Sequence, residues 1–274
     1  MVKKPVDLYD THYRQVEADV YRAVREETFG EDLGQASWIT APECDEFCRW
    51  LGMRAGQRVL EVACGSGGTA LRFAERFGAA VVAVDVNPAA IDAARGRRPT
   101  RELQSRVDFQ VADGNEPLPF PDESFDVVFC NDSINHLRDR ARVLADWYRV
   151  LRPGGRCLYT DPIVVTGCLS NAEIEARSAI GFFLFTPTGV NDAFIRQAGL
   201  RLVLVADVTA SVAATSGRWH DARRTRKSAL CELEGEAKFD EVQRFLATVH
   251  TLAREGRLSR FAFMAEKPAR TAPR

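Results

Sequence analysis

Two acids and a cluster of glycines set the chemistry this chain can do. The run Val59-Leu60-Glu61-Val62-Ala63-Cys64-Gly65-Ser66-Gly67-Gly68-Thr69 is apolar up to an acid and then rich in glycine, and a second apolar run closes on Asp85. Gly65, Gly67 and Gly68 lack Cβ atoms, so the backbone there can turn with positive φ and approach a ligand closely. An acid ending the second strand can accept both hydroxyls of a ribose, and nucleotide-type cofactors bind at this corner of a parallel sheet. Glu61 narrows the choice. The dinucleotide fingerprint aims a helix N-terminus at a pyrophosphate, whereas a carboxylate just before the turn repels phosphate and suits a cation. A second constellation is Asn131-Asp132-Ser133-Ile134-Asn135-His136-Leu137. Asp132 and His136 are four apart, so a helical turn would put carboxylate and imidazole on one side, the carboxylate orienting the ring and raising its basicity.

The glycine run is followed in order by Val84-Asp85-Val86-Asn87-Pro88, Ala112-Asp113-Gly114, the segment from Phe125 to Asn131, and Leu151-Arg152-Pro153-Gly154-Gly155. This ordered set resembles the motifs of the class I S-adenosylmethionine-dependent methyltransferases and covers residues 57–161. One position departs: Ala63 stands where that family has its first glycine, and the expectation is a slightly pushed turn that still binds. The resemblance implies an α/β fold, a doubly wound, mostly parallel seven-stranded sheet, and S-adenosyl-L-methionine as cofactor. It places Glu61, Ala63, Gly65 and Gly67 at the donor, Asp85 on its ribose diol and Val86 on its adenine face. It also places Asp113 and Gly114 at the adenine amino group and Asn131 beside the methionine end. Gln35, Ser37 and Trp38 fall in a loop expected to close over the methionine moiety, where an indole face would favour a sulfonium. Each assignment has a plainer counterpart: Asp85 and Asp113 as turn residues, and Trp38 as a hydrophobic anchor.

The Asp132-x-x-x-His136-Leu137 run resembles the phosphoethanolamine and phosphobase N-methyltransferases, whose N-terminal helix brings a tyrosine towards the histidine. That resemblance makes His136, Asp132 and Tyr13 the catalytic candidates, Tyr13 being preferred over Tyr9 and His12. It fails where a phosphate would sit. After the fifth strand this chain has Pro162, and later Phe182, Phe183 and Phe185, an apolar wall suited to an aromatic or otherwise hydrophobic acceptor. Phe182, Phe183, Phe185 and Tyr9 are therefore the acceptor-side candidates. The reaction expected is methyl transfer to O or N of a small hydrophobic metabolite. The alternatives are carbon methylation, amine methylation of the phosphobase or sarcosine type, a nicotinamide oxidoreductase, and a cofactor-binding protein without turnover.

Apolar runs at 57–63, 80–86, 106–112, 125–131 and 155–161 alternate with helical stretches at 68–77, 88–97 and 139–151, the pattern of a parallel doubly wound sheet. Ahead of them, residues 6–28 read as an amphipathic helix, and Thr40, Pro42 and Glu43 as the capping box of another. Beyond Asp161 we expect a short helix within 171–185 that runs into the apolar stretch 180–185, helices at 188–198, 209–233 and 237–255, and strands at 200–207 and 258–266. The implied division is an N-terminal helical cap (1–55), a cofactor-binding core (56–162), lid helices and C-terminal strands of the same domain (163–267), and a disordered tail (268–274). A net charge of −1 over 274 residues gives no electrostatic reason for a nucleic-acid partner. No apolar run approaches bilayer length, and the N-terminus lacks a signal core. Seven cysteines without regular spacing suggest reduced thiols, a cytoplasmic setting and no metal site. Monomer and homodimer both stay open. The basic run Arg218–Lys227 reads as a solvated helix face rather than a substrate contact.

Overall fold

The computed structural model describes residues 12–97, 100–179 and 181–270. Residues 6–11 of the expected first helix and 271–274 of the expected tail lie outside these. Helix α1 (Asp19–Phe29) and helix α2 (Ala41–Leu51) precede the sheet. Then β1 (Arg58–Val62), α3 (Gly68–Phe77), β2 (Ala80–Asp85), α4 (Pro88–Gly96), α5 (Arg101–Arg106), β3 (Val107–Val111) and β4 (Phe125–Cys130) follow in alternation. A single 3-10 turn, Ile134–His136, leads to α6 (Arg140–Val150) and the long β5 (Leu151–Val165). The last third comprises α7 (Asn171–Arg177), β6 (Thr186–Pro187), α8 (Val190–Gln197), β7 (Arg201–Asp207), α9 (Thr209–Arg224), α10 (Lys227–Glu234), α11 (Glu236–Arg254) and β8 (Leu258–Glu266).

The strands lie in the order β3-β2-β1-β4-β5-β8-β7, with the two-residue β6 beside β5. The expected seven strands are therefore present, and β6 is an eighth. β1 to β5 run parallel; β8 runs antiparallel to both β5 and β7. β2 and β4 read as near-continuous apolar runs because helices cover both faces of the sheet. Phe47, Phe73, Phe109 and Phe129 fill one face, and Trp147, Tyr159, Ile195 and Leu200 the other. Strand order reverses between β1 and β4, and that switch point opens a crevice beyond the carboxyl ends of the strands. The glycine run leaves β1 and the Asn131–His136 run leaves β4, so topology alone brings the two constellations to one place.

Three expectations are corrected, and one is met. The first helix does not run unbroken to residue 28: the chain turns over residues 15–17 and Ala18 is extended, which tucks Val16 into the core before α1 begins. Thr40 does cap α2 by accepting the Glu43 amide at 3.3 Å, but the Glu43 carboxylate turns away to Arg260 rather than closing a capping box. The short helix expected within 171–185 is α7, which ends at Arg177, and residues 182–185 belong to no helix or strand. The helix expected at 209–233 breaks after Arg224, which lets Glu234 fold back to take both Arg223 and the Tyr21 hydroxyl.

Candidate active site

The carboxyl ends of β1, β2 and β4 open into a cleft of about 420 Å³, which meets a smaller compartment of about 60 Å³. Tyr13, Ser37, Ala63 and Ser133 line both, so the two form one site. The glycine turn builds the wall between them. Ala63 sits at φ 59°, the left-handed conformation a glycine would take, at a cost of roughly 1–2 kcal/mol for an L-residue. Alanine thus makes the family's turn rather than a different one. Gly65 and Gly67 take φ 54° and 78°. A Cβ on Gly65 would stand 2.9 Å from the Tyr13 hydroxyl, so the N-terminal segment lies directly on the turn.

The small compartment is lined by Glu61, Gly65, Gln35 and Asn131. Glu61 is 3% exposed, and its Oε2 has no hydrogen-bond partner among the described residues. Burial, aided by the charge of Asp85, pushes its carboxyl up to about 8. A buried acid with an orphaned oxygen fits a cationic ligand, which would supply the missing partner and draw the proton off. At pH 7 the free carboxyl is mostly neutral, so binding of a cation must release a proton. S-adenosylmethionine affinity is therefore expected to rise with pH by up to about tenfold per unit below pH 8 and to level above it. Calorimetry in buffers of different ionisation enthalpy would read that proton; its persistence in Glu61→Gln would refute the assignment.

Asp85 ends β2 with Oδ2 accepting the Gly65 amide and Oδ1 the Asn87 amide, each at 2.9 Å. Both the turn role and a role facing the ligand can thus fall to one carboxylate, since each oxygen keeps a second lone pair. Burial raises its pKa while these amides oppose the rise. Val86 beside it is 43% exposed into the large cleft, an apolar face suited to a flat ring. Asp113 and Gly114 line the same cleft, and Asp113 Oδ1 also accepts the Asn115 amide at 2.8 Å in a tight turn. Asn87 caps α4 by accepting from the amides of Ala89 and Ala90.

The Asp132–His136 pairing is not formed. Asp132 takes φ 52° and turns its carboxylate inward. There Oδ1 accepts from Arg260 Nε at 2.6 Å and Thr160 Oγ1 at 2.8 Å, and Oδ2 accepts the Trp38 amide at 2.9 Å. Residues 134–136 make one 3-10 turn, so the four-residue helical spacing that would align the two side chains does not exist. His136 instead donates through Nδ1 to the Phe182 carbonyl at 2.7 Å, while Asn135 Nδ2 lies 3.4 Å from its Nε2. Burial drops its pKa to about 4, partly opposed by that carbonyl, so the ring is neutral at pH 7. It lines the large cleft with Tyr13 and Phe182. Tyr9 lies outside the described residues, and His12 is turned into the helical cap against Tyr21.

Of the apolar wall, only Phe182 lines the cleft; Phe183 and Phe185 pack with Ile163, Leu252 and Leu258. Trp38 is corrected likewise. Its indole stacks on Phe245 of α11 and meets Trp219 of α9 edge-on, and its amide is what reaches Asp132. Ser37 Oγ accepts from Asn131 Nδ2, and the Gln35 amide bridges its own loop through Leu33 and Glu31. Within the basic run, Arg223, Arg224, Arg226 and Lys227 pair with Glu234, Asp221, Glu27 and Glu236, away from the cleft.

Arg260 and Thr160 escape sequence reasoning. Arg260 is 1% exposed and holds Asp132, Glu43 at 2.7 and 2.8 Å, and Asn131 at 2.9 Å. A cation inside the apolar strand run of β8 was the available signal. No group of side chains suited to a metal ion occurs among the described residues, and none of their helices is long and apolar enough to cross a membrane.

A doubly wound sheet with a glycine turn, an acid ending β2 and a cation-suited carboxyl defines an enzyme that takes a nucleoside-type, positively charged cofactor. The chain belongs to the class I S-adenosylmethionine-dependent methyltransferases. A family model described as a methyltransferase domain matches residues 60–159. The chain is 31% identical over 203 residues to 27-O-demethylrifamycin SV methyltransferase of Amycolatopsis mediterranei, covering 70% of this chain and 74% of that one. It is 35% identical over 136 residues to phosphoethanolamine N-methyltransferase 3 of Arabidopsis thaliana, where the match spans 50% of this chain but only 27% of the relative. The fold is shared with phosphoethanolamine N-methyltransferase 2 of Haemonchus contortus, solved with S-adenosylhomocysteine, at a TM-score of 0.80 and 22% identity over 98% of this chain and 61% of that one. S-adenosylmethionine is the cofactor.

Proposed function

We propose that this methyltransferase acts on a hydroxyl of a small hydrophobic metabolite, with His136 as the base. The observation that carries this reading is a neutral imidazole in the cleft wall whose Nδ1 is committed to a carbonyl, which makes Nε2 the nitrogen that can accept a proton. Bound S-adenosylmethionine supplies an activated methyl group on a sulfonium. Glu61 and the glycine turn would hold its methionine end, Asp85 its ribose, and Val86 and Asp113 its adenine. Gln35, Ser37 and Asn131 border the compartment that would take the methionine end. The protein's remaining task is to align the acceptor and exclude water. Tyr13 covers the turn, and Phe182 offers the acceptor an apolar ring. An alcohol must lose its proton during transfer, and Nε2 of His136 can take it. Towards the carboxyl end of β5 the chain offers Pro162 and the buried Ile163 and Val164, which gives little purchase to a phosphate-bearing acceptor. The similarity to an enzyme named for a 27-O-demethyl substrate supports oxygen as the target.

The test is formation of S-adenosylhomocysteine and a methylated product across hydrophobic alcohols and phenols, set against phosphoethanolamine. Turnover of phosphoethanolamine alone would reverse the assignment. His136→Ala is expected to leave donor affinity nearly unchanged while slowing turnover by about 100-fold or more. Wild-type rates in that variant would reduce the histidine to scaffolding.

A further inference from the structure

The 3-10 turn carrying His136 is clasped by a segment from elsewhere in the chain. His136 Nδ1 donates to the Phe182 carbonyl at 2.7 Å, and the Leu184 amide donates to the Asn135 carbonyl at 2.9 Å. Both hydrogen bonds are made by the segment's backbone, through its carbonyl and its amide. The Phe183 ring lies 4.8 Å from the imidazole, closing the same contact from the side. From below, Arg140 reaches the Ile134 carbonyl at 3.4 Å while held by Asp161 and Asn191. The turn is thus fixed on two sides, and of these two grips it is the upper clasp that holds the imidazole itself.

We propose that the backbone of Phe182–Leu184 is the positioning element of the base: docked, it fixes the Nδ1–H tautomer and presents Nε2 to the acceptor. This inference rests on the reading of His136 as the base. A carbonyl can only accept, so the proton must sit on Nδ1 for as long as the bond lasts. Undocked, the ring can take the opposite tautomer, whose Nε2 carries a proton and cannot accept another. Phe182 also lines the cleft through its ring. An acceptor that packs on that ring therefore favours the docked segment, and acceptor recognition is expressed in kcat as well as in KM.

The experiment compares Leu184→Pro, which deletes the amide donor, with Leu184→Ala, which keeps it. The imidazole tautomer is read by long-range nitrogen–proton NMR, alongside donor affinity and the pH profile of kcat. Wild type is expected to show the Nδ1–H form. Leu184→Ala should keep that form and stay within about threefold of the wild-type rate. Leu184→Pro should mix the tautomers and lower kcat by about 10–100-fold at unchanged donor affinity. The base works only when neutral, so activity is lost as pH falls through its pKa. Burial and then the charge of Arg177, which lies over the Phe183 ring at 4.6 Å, hold that pKa at about 4. The other titratable groups lining the cleft are Tyr13, Asp85, Asp113, Glu116, Asp132, Arg138, Asp139 and Arg142. Release from burial raises the pKa towards the ordinary 6.5, moving the acid limb of kcat upward in Leu184→Pro. An Nε2–H form in the wild type would overturn the proposal without any variant, as would an unchanged tautomer and rate in Leu184→Pro. Equal losses in both variants would assign the effect to side-chain packing and overturn it too. Full activity in His136→Ala would defeat the base reading instead, and the tautomer measurement would still decide the clasp.

Discussion

Arg260→Ala is expected to destabilise the protein by about 3–5 kcal/mol, because it leaves the buried Asp132 and the largely covered Glu43 without their shared cation. The guanidinium binds Asp132 at 2.6 Å and Glu43 at 2.7 Å, and it is itself buried with a pKa pushed further up by those carboxylates, despite the opposing cost of burial. Its loss also leaves the Asn131 side-chain oxygen, now held at 2.9 Å, without that donor. Equilibrium unfolding in urea gives the number directly. Arg260→Met combined with Asp132→Asn removes one orphaned charge along with the cation. That pair should therefore cost less than the sum of the single changes. A loss below about 1 kcal/mol for Arg260→Ala would mean that water or a rearranged side chain replaces the guanidinium, and the network would not be what holds β8 to the site.

Gly68→Ala is expected to weaken S-adenosylmethionine binding by on the order of 100-fold, about 2.7 kcal/mol. Gly68 is the first residue of α3, where alanine is otherwise the better helix former by about 1 kcal/mol. The tertiary setting reverses that preference. A Cβ would overlap the Leu33 carbonyl oxygen and stand 2.6 Å from its carbon, both backbone atoms that a rotamer change cannot move aside. The loop carrying Gln35 and Ser37 must therefore shift off the glycine turn, losing the Ser66 hydroxyl's bond to the Gly34 carbonyl at 2.9 Å. Calorimetric titration checks the result, with thermal unfolding as a control for the fold. A dissociation constant within threefold of wild type would show that the loop plays no part in holding the donor.

Much of the glycine-turn side of the cleft was legible because its devices are local. A glycine turn, an acid at a strand end and an Asn-Pro helix start are each set within a few residues. Glu61, Gly65 and Asp85 accordingly meet where β1 and β2 end, with the Gly65 amide on the Asp85 carboxylate. Ala63 shows the same logic from the other side, since its backbone obeys the turn although its side chain is not the expected one. The acceptor side was less legible. Phe182, Phe183 and Phe185 looked like one wall in sequence, but the folded chain divides them between the cleft and the cluster around Ile163, Leu252 and Leu258. Trp38 suited a sulfonium by type, yet Trp219 of α9 and Phe245 of α11 claim its indole.

The amino-acid order by itself determined the alternation of strands and helices, the glycine turn between them and the carboxyl suited to a cation. These follow from periodicity, turn chemistry and charge, which act over short stretches of chain. Only the tertiary structure decided what Asp132 and His136 do. Asp132 pairs with an arginine 128 residues away, and His136 donates to a carbonyl 46 residues away. Spacing along a helix cannot reveal such partners, because burial and the demand that each buried polar group find a partner are satisfied by whatever the folded chain brings near.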